Sequence, residues 1–164
     1  MRRRNYAIIL GLTAVLAGLL WYALYRFEQQ DAAAHRQYNA VIFHWTNVGF
    51  DKTGDWVHAA AAARTLLADH PESQWAMQAA PLLVATLMNQ GDDTAALAAA
   101  EQLGERYRGC DSEAQLWYLQ GQCLKRLGRY PAANAALTIC IRQFPETRAA
   151  RDAAAVLQSL PLGS

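Results

Sequence analysis

The chain has 164 residues, room for one domain, and its 15 basic and 14 acidic side chains leave a net charge of +1. That balance argues against nucleic acid as the main partner, because such a face needs a clear basic excess. The hydrophobic share of 53% is raised by one apolar N-terminal run. Elsewhere Pro is scarce and no segment alternates apolar and polar long enough to predict a strand, so the fold class is all-α.

The chain opens "MRRRNYAIILGLTAVLAGLLWYALYRF": Arg2, Arg3 and Arg4, then an uncharged run from Asn5 to Tyr25. Twenty residues from Tyr6 to Tyr25 make a helix of about 30 Å, the thickness of a bilayer core. Tyr6 at one end and Trp21, Tyr22 and Tyr25 at the other suit an aromatic belt. The expectation is a cytoplasmic N-terminus over 1–4 and a transmembrane anchor over 5–25, with the lipid bilayer as its partner. The arginines hold their end in the cytoplasm, so everything beyond the anchor lies outside it. A cleaved signal peptide fits less well, because the apolar run is long and Trp21 disturbs the small-residue pattern ending at Ala23. Ala7, Gly11, Ala14 and Gly18 form one narrow stripe of small residues, which predicts close packing against another membrane helix.

From Arg26 to Val48 there is neither Gly nor Pro, and Ala34, Tyr38, Val41, Trp45 and Val48 recur at helical spacing. The anchor is therefore expected to continue as one rod into the first helix of a domain over 26–160. "GFDKTG" (49–54) is the first turn. Further helices are expected over Asp55–His70, Ser73–Gln90 (kinked at Pro81), Asp92–Tyr107, Ser112–Leu127, Tyr130–Phe144 and Thr147–Leu160, with Asp111 or Ser112 capping the fifth. Residues 161–164 are a tail. Cys123 and Cys140 read as small buried apolar residues and Cys110 as a loop residue.

Gly54, Gly91 and Gly128 stand 37 residues apart, and each is followed at the same offset by an alanine: Ala59, Ala96 and Ala133. A period of this length predicts stacked helical hairpins. The last copy, "AQLWYLQGQCLKRLGRYPAANAALTICIRQFP", resembles the tetratricopeptide repeat through Trp117, Gly121, Gly128, Tyr130, Ala133, Leu137 and Pro145. Gln120, Leu124 and Cys140 depart from that family's pattern, as do Arg108 and Asn47 in the earlier copies. Small Gly121 and Ala133 let two backbones approach, while Tyr130 and Leu137 fill the space beside them. The resemblance implies an α-solenoid of three helical hairpins with a C-terminal capping helix after the membrane helix. It also implies a concave groove lined by the first helix of each hairpin. Carried across, the groove positions are Gln115, Tyr118, Gln122, Lys125 and Arg126; then Gln78, Pro81, Ala85, Met88 and Asn89; then Val41, His44, Val48, Asp51 and Lys52. An ordinary solvated face is the alternative reading of these positions.

Nothing in the sequence points to chemistry. His35, His44, His58 and His70 share no metal-ligand spacing, and Asp92 with Asp93 reads as a helix start. No nucleophile elbow, phosphate loop or dinucleotide fingerprint is present. No enzyme, metal, cofactor or small-molecule substrate is expected. Anchor plus repeat domain resembles the ancillary Sec-translocon subunit family over Ala32–Tyr107, through "LADHPESQWAMQAAPLLVATLMNQGDDTAALAAAEQL". The chain lacks that family's longer cytoplasmic segment. Envelope proteins with endings like "FPETRAARDA" are similar too. These resemblances imply a single-pass protein of a bacterial inner membrane with its C-terminal domain in the periplasm. Its expected role is a protein-binding adaptor, its partners membrane-complex or envelope components; the alternative is a structural subunit held mainly by its membrane helix.

Overall fold

The computed structural model describes residues 2–46 and 55–161, with side chains described from Val15 onward. Seven helices account for it: α1 (Arg2–Thr46), α2 (Trp56–Asp69), α3 (Gln74–Asn89), α4 (Asp93–Arg106), α5 (Glu113–Arg126), α6 (Tyr130–Gln143) and α7 (Arg148–Gln158). The turn expected at 49–54, the groove positions Val48, Asp51 and Lys52, Asn47 and tail residues 162–164 lie outside the described residues. So do the side chains of Ala7, Gly11 and Ala14.

The first helix is unbroken for 45 residues, about 68 Å. From Val15 through Gln30 its side chains are exposed on every side, and Ala34 is the first buried one among the described side chains. Among the described residues no helix is long and apolar enough to cross a membrane. They therefore do not support the span expected over 5–25, part of which falls on side chains outside the description.

Each helix packs on its chain neighbours, and the odd helices also touch one another in succession: α1 with α3, α3 with α5, α5 with α7. That is the signature of hairpins stacked in register, with the odd helices forming one layer and the even helices the other. Helix α7 covers the last face as expected. By touching both α5 and α6 it also takes the place of the first helix of a further hairpin.

Small residues set the spacing between layers. Ala59, Ala96 and Ala133 are all fully buried, as the 37-residue register predicts. A Cβ added at Gly121 would come within 2.6 Å of both Cγ and Cδ2 of Leu137, a residue with no exposed surface. Helices α5 and α6 therefore meet where Gly121 leaves room for a leucine.

The repeat-boundary glycines end helices. Gly91 and Gly128 have φ of 82° and 73°. Behind each, the next amide donates five residues back, Asp92 to Leu87 at 3.1 Å and Arg129 to Leu124 at 2.8 Å. These bonds satisfy helix-end carbonyls, and the left-handed turn they need suits a residue without a Cβ. Ser73, Asp92 and Thr147 cap α3, α4 and α7, each accepting the amide three residues on.

The cap expected from Asp111 or Ser112 at α5 is not made. Glu113 instead ties the preceding turn to the helix, buried with one carboxylate oxygen accepting Gly109 N–H at 2.6 Å and the other Trp117 Nε1–H at 3.3 Å. Tyr107 ties down the preceding hairpin, its hydroxyl donating to the Pro71 carbonyl at 2.9 Å. The three cysteines are free thiols. Cys123 and Cys140 are fully buried, and burial pushes both thiols up to about 11.

Candidate protein-binding face

Helix α5 presents the best-formed strip of the odd layer. Along its open side Gln115, Tyr118, Gln122 and Lys125 are half-buried and Arg126 is exposed, while Leu116, Leu119 and Cys123 point inward. The spacing explains this: 115, 118, 122 and 125 fall within one narrow sector of a 3.6-residue helix. Gln122 Nε2 donates to the Tyr118 hydroxyl one turn away. Burial raises the Tyr118 phenol above its ordinary value, and Asp152 on α7 pushes the same way.

The strip is flanked differently on its two sides. Lys125 Nζ donates to Ser159 Oγ at 2.8 Å, beyond the end of α7. Arg126 turns the other way, its Nε 3.0 Å from Asp93 Oδ1 at the start of α4. Gln115, Tyr118 and Gln122 remain as an aromatic and amide surface able to exchange hydrogen bonds with a backbone.

Three of the expected groove positions lie elsewhere. Met88 and Val41 are 5% and 1% exposed and belong to the core. Helix α3 is packed by α1, α2, α4 and α5, just as α5 is packed by α3, α4, α6 and α7. His44 faces α2, its Nδ1 2.6 Å from Asp55 Oδ2, because the helix start carries a carboxylate that takes both His44 and His58. Gln78 and Asn89 are exposed, and Pro81 and Ala85 are half-buried.

The odd layer also holds an aromatic seam between α1 and α3. Trp75 on α3 donates Nε1–H to Asp31 on α1 at 3.0 Å and stacks on His35 with ring centres 4.1 Å apart. Tyr38 closes the other side at 5.3 Å. Residues some forty positions apart carry no local signal of this contact, and only the stripe that includes Tyr38 hinted at it.

The tetratricopeptide-repeat family model matches residues 115–147. The match begins on α5, includes Gly121, Gly128, Ala133 and Leu137, and ends at the Thr147 cap of α7. The chain thus contains a tetratricopeptide repeat within a helical-repeat fold. No curated protein matches it. Among the described residues no group of His, Cys, Asp and Glu could hold a metal ion.

Proposed function

We propose that this repeat-containing chain is a membrane-tethered adaptor with no catalytic role, binding other proteins through the odd-helix layer around Tyr118 and Gln122. Tetratricopeptide repeats are protein-interaction modules, and the open α5 strip carries the reading. It combines an aromatic ring, two amides and flanking cations on a rigid helix, suited to an extended or helical protein segment.

The tether rests on α1. Leu16, Leu19, Leu20, Trp21 and Leu24 are each at least 60% exposed, so large apolar side chains face outward all round this stretch of the helix. A helix apolar on every side needs a buried or lipid environment. Together with the uncharged run from Asn5 and the three arginines before it, this supports a single-pass anchor over 5–25 in a bacterial inner membrane. The same arginines favour a periplasmic repeat domain. The resemblance to ancillary Sec-translocon subunits makes membrane-complex or envelope components the favoured partners.

The experiment is co-purification of the full chain in mild detergent. Tyr118→Ala with Gln122→Ala should lose the partner protein while the chain stays in the membrane fraction. Partner loss on Gly11→Leu with Gly18→Leu, and not on the α5 pair, would show instead a structural subunit held through its membrane helix.

A further inference from the structure

The even helices carry a second surface. Helices α2 and α4 hold equivalent places in successive hairpins, and an open slot of about 430 Å3 lies between them. Leu83 and Leu87 of α3 are among its lining residues, with Ala68 on the α2 side and Ala95 and Ala99 on the α4 side. The α4 wall is a single helical stripe, 95, 99, 102 and 106, spaced 4, 3, 4, and the α2 wall is formed by Arg64, Leu67 and Ala68. From 95 to 106 the α4 wall rises about 17 Å, three turns. Leu83 and Leu87 are 5% and 3% exposed and close the floor, so the surface offered is the alanine walls, small enough to let another helix approach closely.

Charge selects the occupant. Arg64 and Arg106 stand on opposite walls, both exposed, and among the described residues neither has a carboxylate within ion-pair distance. The nearby Glu105 is engaged by Arg108 at 2.6 Å. The 37-residue register sets Arg64 level with Glu101, so Arg106 lies five residues, about 7.5 Å, further along the slot. We propose that this slot docks an amphipathic helix of a partner protein that lays its apolar face on the alanine walls above Leu83 and Leu87 and sets two acidic residues, four or five positions apart, against Arg64 and Arg106. Helix-in-groove docking uses such spaced apolar anchors, and an arginine fork pairs well with carboxylate. The inference extends the protein-binding reading to a face other than the α5 strip.

The test is selection from a displayed library of helix-stabilised peptides on the full chain in mild detergent. The peptides have apolar residues along one face, and their flanking positions vary among Glu, Gln and Lys. Enriched peptides should carry two glutamates four or five positions apart. Arg64→Glu with Arg106→Glu should weaken them at least tenfold, and lysines in place of the two glutamates should restore binding. Both arginines are exposed, so the reversal leaves the core intact, which circular dichroism checks. Tyr118→Ala with Gln122→Ala should leave these peptides bound. Enrichment of neutral or basic peptides, or indifference to the arginine reversal, overturns the slot. So does a dimer of the chain that the reversal dissociates, since the occupant is then a second copy. Peptides that need Tyr118 and Gln122 instead keep the adaptor reading and overturn this one. A lack of enrichment on the slot overturns it and leaves the α5 strip to its own co-purification test.

Discussion

Replacing Gly121 with alanine sets two effects of opposite sign against each other. Alanine is the better helix former, by about 1 kcal/mol in a helix interior. At Gly121, however, the new methyl would sit 2.6 Å from two carbons of Leu137, which is fully buried, and 3.5 Å from its backbone nitrogen. Overpacking of this kind costs about 1–3 kcal/mol. The net expectation is destabilisation of about 1 kcal/mol. Gly104, in the last turn of α4, supplies the control: nothing lies within 4 Å of its added Cβ, so Gly104→Ala should stabilise, by up to about 1 kcal/mol. Denaturant titrations of the full chain in mild detergent, followed by circular dichroism, should move the two midpoints in opposite directions. A double-mutant cycle then locates the clash: Leu137→Ala should cost less in the Gly121→Ala background than alone, with a coupling of about 0.5–3 kcal/mol. If Gly121→Ala raises the midpoint as Gly104→Ala does, the α5–α6 contact is not as described.

Gly128→Ala should cost about 1–2 kcal/mol, because φ is 73° there and an L-residue is strained in that region; a midpoint unchanged by the substitution would count against the helix-ending role. Asp55 gives a pH signature. The hydrogen bond from His58, with His44 assisting, holds its carboxyl below the usual range, so its stabilisation is present above the ordinary carboxylate pKa of about 3.9. That stabilisation is lost as pH falls through the depressed value. Asp55→Asn should therefore lower the denaturation midpoint at pH 7, and the gap from wild type should close below about pH 4; a gap independent of pH would contradict the contact. Alkylation of the native chain at pH 7.5 should label half-buried Cys110 and spare Cys123 and Cys140, whose thiols burial raises to about 11; equal labelling of all three before unfolding would refute their placement in the core.

The hairpin stack was legible because its signals are local or periodic. The glycines at a 37-residue period, the alanines five residues after each, and the helix-stopping turns fixed register and helix ends to within about two residues, the length over which helix termini fray and tighten. The continuous rod of α1 followed from the lack of Gly and Pro between Arg26 and Thr46. The groove was legible only in part. Transferring positions from one repeat to another assumes equal exposure, yet Met88 is buried where Lys125, 37 residues on, is half-buried, and His44 is drawn away by Asp55. The Trp75 seam and the Glu113 bonds depend on side-chain directions that a periodic pattern does not specify. Glu113 looked like an ordinary first-turn acid, and only the fold brings Gly109 N–H and Trp117 to its two oxygens.

The central claim is that the α5 strip is a protein-binding face. A photo-cross-linking amino acid placed at Gln122 in the full chain, irradiated in native membranes, tests it most directly, with the same group at exposed Arg129 as control. The account predicts one discrete protein adduct from position 122, absent from position 129 and lost when Tyr118 is replaced by alanine. Equal adducts from both positions, or lipid alone at position 122, would contradict it.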